Sequence, residues 1–121
     1  MCLDIKRFSF AKRAKTDIVC YKFLVKNDYN ELATPYRYKL IEIGCTYESK
    51  LKVRSRFFKN SRVEDGLHSL VNKSDVSRCF RGIRGVVVKC IIPAGSRYFE
   101  GHFDLYSSYA SDKIKYVEII D

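Results

Sequence analysis

The chain has 121 residues, of which 46% are hydrophobic and 14% aromatic. That composition excludes a disordered chain and suffices for one core, so a single domain over residues 1–121 is expected without help from a metal or a disulfide framework. The net charge is +9, and no apolar run approaches the roughly 20 residues a membrane-spanning helix needs.

The charge is uneven. Residues 1–62 carry 15 basic and 6 acidic side chains, and residues 63–121 carry eight of each. A one-sided excess of cations raises the local concentration of polyanions such as nucleic acid, nucleotides or an acidic protein. The start of the chain, Met1-Cys2-Leu3-Asp4-Ile5-Lys6-Arg7, has no apolar stretch behind its charges. A cytoplasmic protein without a membrane partner is expected. The five cysteines show no C-x-x-C spacing and no clustering with histidine. Free thiols are therefore expected, with Cys20 and Cys90 buried, and no metal site.

In chain order, residues 5–16 hold five cations and two phenylalanines and read as a basic arm or short helix. Residues 17–26 (DIVCYKFLVK) read as the first core strand, followed by a turn at Asn27-Asp28-Tyr29-Asn30. Pro35 opens a second strand over residues 36–43, with apolar and charged positions alternating, and Gly44 ends it. Residues 45–53 read as a third strand, and 54–65 as a loop. Asn72 or Ser74 caps a helix over residues 74–81 that stops at Gly82. Residues 85–92 (GVVVKCII) form a strand, Pro93-Ala94-Gly95-Ser96 a turn, residues 97–103 a strand or hairpin arm, and 114–120 the closing strand. The sum is an α+β domain: a twisted, mostly antiparallel sheet with one or two short helices.

Two groups of residues carry chemistry. The first interleaves cations with rings: Arg37, Lys39, Lys50, Lys52, Arg54, Arg56, Lys59 and Arg62 as anion contacts, with Tyr36, Tyr38, Phe57 and Phe58 as stacking platforms. Single-stranded nucleic acid is held by this mixture, because cations track phosphates while rings stack on bases. Lys50, Lys52, Arg54 and Arg56 are spaced by two, so one continuous strand would present all four on one face. The second group is an acid–base candidate: His68, beside the Ser69 hydroxyl in Gly66-Leu67-His68-Ser69, and His102 in Glu100-Gly101-His102. No nucleophile elbow, Walker loop, zinc-protease or dinucleotide-binding motif accompanies them, which points away from an enzyme.

The order Tyr21-Lys22, Gly44-Cys45-Thr46-Tyr47, Gly66-Leu67-His68-Ser69, Ile92-Pro93-Ala94-Gly95-Ser96 and Tyr109-Ala110-Ser111-Asp112 resembles a group of small uncharacterised proteins of phages and gut bacteria. That resemblance implies an accessory role, for example against a host defence system. More remotely, the order is similar to ADP-ribosyltransferase domains. This similarity implies NAD as cofactor, Tyr21 and Lys22 approaching it, Ser69 in the middle motif, and Asp112 or Glu118 as the late acid. The chain departs from that pattern in having Lys22 where arginine or histidine is usual, and in lacking the paired late acids. The leading expectation is a non-enzymatic, cofactor-free protein binding an anionic partner, nucleic acid or nucleotide, through its basic–aromatic surface. The alternatives are an NAD-dependent transferase-like enzyme or its inactive ligand-binding relative, and a protein-interaction module with its aromatics in an interface.

Overall fold

The computed structural model describes residues 3–5, 10–54 and 61–121. Along the chain run β1 (Leu3–Ile5), β2 (Lys12–Arg13), β3 (Ile18–Lys26), β4 (Leu32–Ala33), β5 (Thr46–Glu48), β6 (Lys52–Arg54), β7 (Ser61–Asp65) and β8 (Leu67–Leu70). Helix α1 (Lys73–Cys79) precedes β9 (Gly85–Ile92), β10 (Arg97–Phe103), β11 (Tyr106–Ser111) and β12 (Lys113–Ile119). Of the described residues, strands take 55% and helix 6%, in a strongly curled antiparallel half-barrel. The expected α+β class is thus corrected to a nearly all-β domain. The helix near residues 74–81 is present, with Asn72 as its N-cap and Asp75 in the first turn. A second helix is not found among the described residues. The basic segment at the N-terminus supplies β1 and β2 instead, which pair with β7 and β10; its residues 6–9 lie outside the described residues.

β3 and β9 form the spine, paired over eight positions from Ile18↔Ile92 to Val25↔Gly85. Side chains alternate between the faces of a strand. Cys20, Leu24, Val88, Cys90 and Ile92 bury on one face with Ile114 and Tyr116. Phe23 and Val87 bury on the other with Leu70 and with Val76 and Phe80 of the α1 region. Burial on both faces is why these two strands read as almost unbroken apolar runs. Leu3, Ile5, Val63, Phe99 and Ala110 form a third cluster along β1, β7, β10 and β11.

The strand order is β5-β12-β9-β3-β8-β11-β10-β1-β7-β6, with β2 added to β10 and β4 to β3. Its two outermost strands, β5 and β6, are consecutive in the chain and separated only by residues 49–51. Three residues span little more than about 10 Å, so the curl must bring the two edges of the sheet back towards each other. The backbone N–H of Ser49 donates to the carbonyl of Asp112 at 2.9 Å and pins this link to the β11–β12 turn. The expected third strand over residues 45–53 is accordingly two strands at opposite ends of the sheet.

Two further expectations change. Residues 36–43 form a loop joined to the sheet by one bridge, Ala33↔Leu40, by Ile41 buried in the core, and by the Glu42 N–H donating to the Tyr47 hydroxyl at 2.8 Å. Pro35 has no N–H to give a ladder, and Thr34 closes the loop by accepting N–H bonds from Tyr38 at its carbonyl and from Lys39 at Oγ1, both 3.0 Å. Tyr38 takes a left-handed conformation, φ +53°, which an extended strand cannot contain. Residues 61–65 of the expected loop are a strand, and the serine-rich Tyr106–Ser111 is another that alternation did not reveal. In the latter the buried hydroxyls of Ser108 and Ser111 donate to the carbonyls of Tyr106 and Lys113 at 3.0 and 2.9 Å, so polar side chains sit inside without cost from lost hydrogen bonds.

Phe80 holds the end of α1 to the spine, its ring stacked on Phe23 with centroids 4.7 Å apart and planes 7° from parallel. Phe80→Ala is expected to destabilise the domain by about 3 kcal/mol, read as a lowered midpoint in urea unfolding. A loss under about 1 kcal/mol would mean that α1 docks without this ring.

Candidate functional site

β3 and β8 are neighbours through one residue pair, Tyr21↔Leu70. Beyond it the two strands part. A cavity of about 190 Å³ opens there, walled by Tyr21, Lys22 and Phe23 on one side and by the Gly66–Leu70 stretch on the other. The loop over residues 34–39 borders its mouth with Tyr36, Arg37 and Lys39, and Phe80, Glu48 and Ser49 complete the wall. Tyr21, Lys22, His68 and Ser69, proposed from two separate sequence arguments, therefore meet in one place. Arg37, Lys39 and Tyr36, assigned from sequence to a single basic–aromatic surface with residues 50–62, line the same cavity.

Lys22 sits between Cys20 and Leu24 on the buried face of β3. Loss of water pushes its ammonium down to about 8; the nearby thiols of Cys90 and Cys20 work against that shift, and the charge of Lys39 adds to it. It makes no ion pair with a described carboxylate, whereas Lys12 and Lys113 pair with Glu100 and Glu48. His68 is 9% exposed, and both of its ring nitrogens lack a hydrogen-bond partner in the protein. Burial, reinforced by the charges of Lys22 and Arg37 and opposed by Asp65, pushes its imidazole down to about 3, so it is neutral at pH 7. The buried hydroxyl of Ser69 also lacks a well-formed hydrogen bond, although it lies beside the Cys20 thiol, which burial pushes up to about 11. Buried polar atoms without partners are uncommon. Here three of them, from adjacent residues, flank one cavity.

The mouth is organised but lightly held. Arg37 reaches Asp65 at the end of β7 at 3.5 Å, both side chains well exposed, a contact worth under about 1 kcal/mol. Lys39 Nζ lies 4.9 Å from the Tyr47 ring centroid. Tyr36 and Tyr38 are 54% and 71% exposed, and Tyr36 meets Phe80 edge-on at 6.5 Å.

The remaining site expectations fall elsewhere. Asp112 does not line the cavity: its Oδ1 accepts the backbone N–H of Arg97 at 3.0 Å, which ties the β11–β12 turn to β10. Glu118 is exposed on β12 opposite Lys89. The row of four spaced cations is interrupted, since β6 holds Lys52 and Arg54 while Lys50 lies outside it, beside a more open groove with Phe10, Arg97 and Asp112. Arg54 and Arg62 face each other across β6 and β7, each beside a carboxylate: Glu64 at 3.4 Å and Asp4 at 3.1 Å. Arg56, Phe57, Phe58 and Lys59 lie outside the described residues. Phe23, Thr34 and Phe80 were not singled out from sequence; each is an ordinary strand, turn or helix-end residue locally, and only non-local pairing gives it a place in the wall.

Cys20, Cys45, Cys79 and Cys90 are free thiols. Among the described residues no group of three His, Cys, Asp or Glu is placed to hold a metal ion, and no helix is long and apolar enough to cross a membrane. No protein-family model, no curated protein and no solved structure matches this chain.

The burial of neutral His68 has a pH consequence. Unfolded, the imidazole takes a proton near 6.5; folded, only near 3. Between these values unfolding takes up a proton, so stability is complete above pH 6.5 and falls as pH drops. From pH 6.5 to 5 the wild type is expected to lose up to about 2 kcal/mol more than His68→Gln, measured by urea unfolding at each pH. Parallel pH profiles would show that the folded protein protonates His68 freely.

Proposed function

We propose that this chain binds a small anionic ligand, a nucleotide or similar phosphorylated compound, in the cavity between β3 and β8. The observation carrying this reading is the convergence of Lys22, Arg37 and Lys39 with the rings of Tyr21, Tyr36 and Phe80 on one cavity. A desolvated ammonium without a carboxylate partner favours an anion, which would restore the charge balance that burial removes. Neutral His68 and the Ser69 hydroxyl offer hydrogen bonds to the same group. The volume of about 190 Å³ is below the roughly 300 Å³ at the lower end of sites for whole drug-sized ligands. It suits a phosphate-sized head, leaving a base to lie on the exposed ring of Tyr36 at the mouth.

An extended nucleic-acid surface has less support, because Arg54 and Arg62 already lie against Glu64 and Asp4. The transferase alternative also has less support. Asp112 and Glu118 are away from the cavity, and the acid that does line it, Glu48, pairs with Lys113 at 3.8 Å.

Thermal unfolding with AMP, ATP and NAD, alongside fluorescence polarisation with labelled oligonucleotides, separates these readings. A nucleotide at 100 times its Kd should stabilise the domain by about 2.7 kcal/mol. That gain is expected to vanish in Arg37→Glu/Lys39→Glu and to persist in Lys52→Glu/Arg54→Glu. No stabilisation by any nucleotide overturns the proposal. Oligonucleotide binding that weakens steeply between about 50 and 200 mM salt, and is lost in Lys52→Glu/Arg54→Glu, would assign the function to the β6–β7 surface instead.

A further inference from the structure

We propose that Lys22 is a reactive amine that captures the carbonyl group of a small anionic aldehyde or keto compound as an imine, because its side chain lines the cavity beside the unpartnered imidazole of His68 and makes no ion pair with a described carboxylate. The inference rests on the reading of this cavity as an anion site and names the reactive end of the ligand.

Three features of the cavity support the chemistry independently of charge at the mouth. First, a lysine in the interior of a core strand is unusual. Lys22 lies opposite Val88 on β9, the next strand to it, between the buried residues Cys20 and Leu24. A solvated surface lysine is held protonated by water, and burial removes that advantage. Second, Lys22 forms no ion pair with a described carboxylate, and the nearby Cys20 and Cys90 are thiols that burial keeps uncharged at neutral pH. Third, His68 is neutral and unpartnered in the same cavity. Neutral, it adds no positive charge beside the amine and offers a hydrogen bond to the carbinolamine oxygen.

The step balances without a further reactant. The lone pair of the deprotonated Lys22 Nζ attacks the carbonyl carbon, and the C=O π pair moves to oxygen. One proton passes from nitrogen to the oxygen, forming a neutral carbinolamine. Its hydroxyl then leaves as water together with the second nitrogen proton, and the nitrogen lone pair closes the C=N bond. One water is released and nothing is oxidised or reduced. Arg37 and Lys39 at the mouth would hold the anionic end of the compound while its carbonyl points inward.

Pyridoxal 5′-phosphate serves as probe, being an aldehyde, an anion and a ring in one molecule. The full chain at pH 7.5 is treated with an equimolar amount, reduced with borohydride to fix any imine as a secondary amine, digested, and mapped by mass spectrometry. The expected result is modification at Lys22 at least tenfold above the average of the exposed lysines, and at least fivefold protection by excess inorganic phosphate or AMP. Lys22→Arg should abolish the modification while keeping the circular-dichroism spectrum. Modification spread over surface lysines with Lys22 spared overturns the inference, and the wild-type experiment decides this even if the variant fails to fold. Nucleotide stabilisation without an imine at Lys22 would end this inference and leave the anion site intact. Modification of Lys22 unprotected by phosphate or AMP would end the anion reading and leave the amine's reactivity standing.

Discussion

The sheet holds together across its middle by one residue pair, Tyr21 with Leu70, and the rest of the architecture follows from that narrow seam. On one side of it β3, β9 and β12 form a long ladder, irregular once between Tyr116 and Glu118. On the other, β11, β10, β1 and β7 form a second run of pairs. Two ladders joined at one point can turn sharply relative to each other, which a continuous ladder with its modest twist per strand cannot do. The curl places β5 and β6 within reach of a three-residue link, and the parting of β3 from β8 leaves the cavity. Fold and candidate site are thus two results of one local failure of pairing.

The cavity concentrates polar groups that a core ordinarily excludes. Lys22, His68 and Ser69 are flanked by the buried cysteines and by Phe23 and Phe80, so their electrostatics are those of a poorly hydrated interior. The same burial lowers both the Lys22 ammonium and the His68 imidazolium, and each positive charge discourages the other. Such an arrangement costs stability unless something anionic or hydrogen-bonding occupies it, and perturbed groups gathered in one cleft are the usual mark of a functional site. The rest of the domain can bear that cost: the clusters on both faces of the β3–β9 spine are built from fully buried Leu24, Val76, Val88, Ile92 and Ile114.

Several parts of this arrangement were legible in the residues alone. The apolar runs at 17–26 and 85–92 announced the spine, and the cap at Asn72 with Asp75 and Gly82 announced the helix. His68 and Ser69 stood out as polar groups in a short apolar piece, whereas Tyr21 and Lys22 were picked out as site residues only by the similarity to ADP-ribosyltransferase domains. What misled was equally local. The alternation over residues 36–43 looked like a strand, but Pro35 and the Thr34 hydroxyl turn that segment into a loop. Residues 106–111 showed no strand alternation because serines occupy buried positions, where the hydroxyls of Ser108 and Ser111 bond backbone carbonyls. The even spacing from Lys50 to Arg56 suggested one charged row, yet the segment is divided between a link and a three-residue strand.

The sequence by itself determined the two central strands, the short helix, the concentration of positive charge in the first half and the identity of the polar residues set among apolar ones. These depend on periodicity, capping and composition, which act between residues a few positions apart. Only the tertiary structure decided that β3 lies between β9 and β8, and that residues near 21, 37, 68 and 80 share one cavity. It also placed Asp112 in a turn and Glu118 on an exposed strand face, away from that cavity. Those outcomes come from strand pairings between residues tens of positions apart, chosen by how the whole set of apolar faces can be buried at once, and no local pattern encodes them.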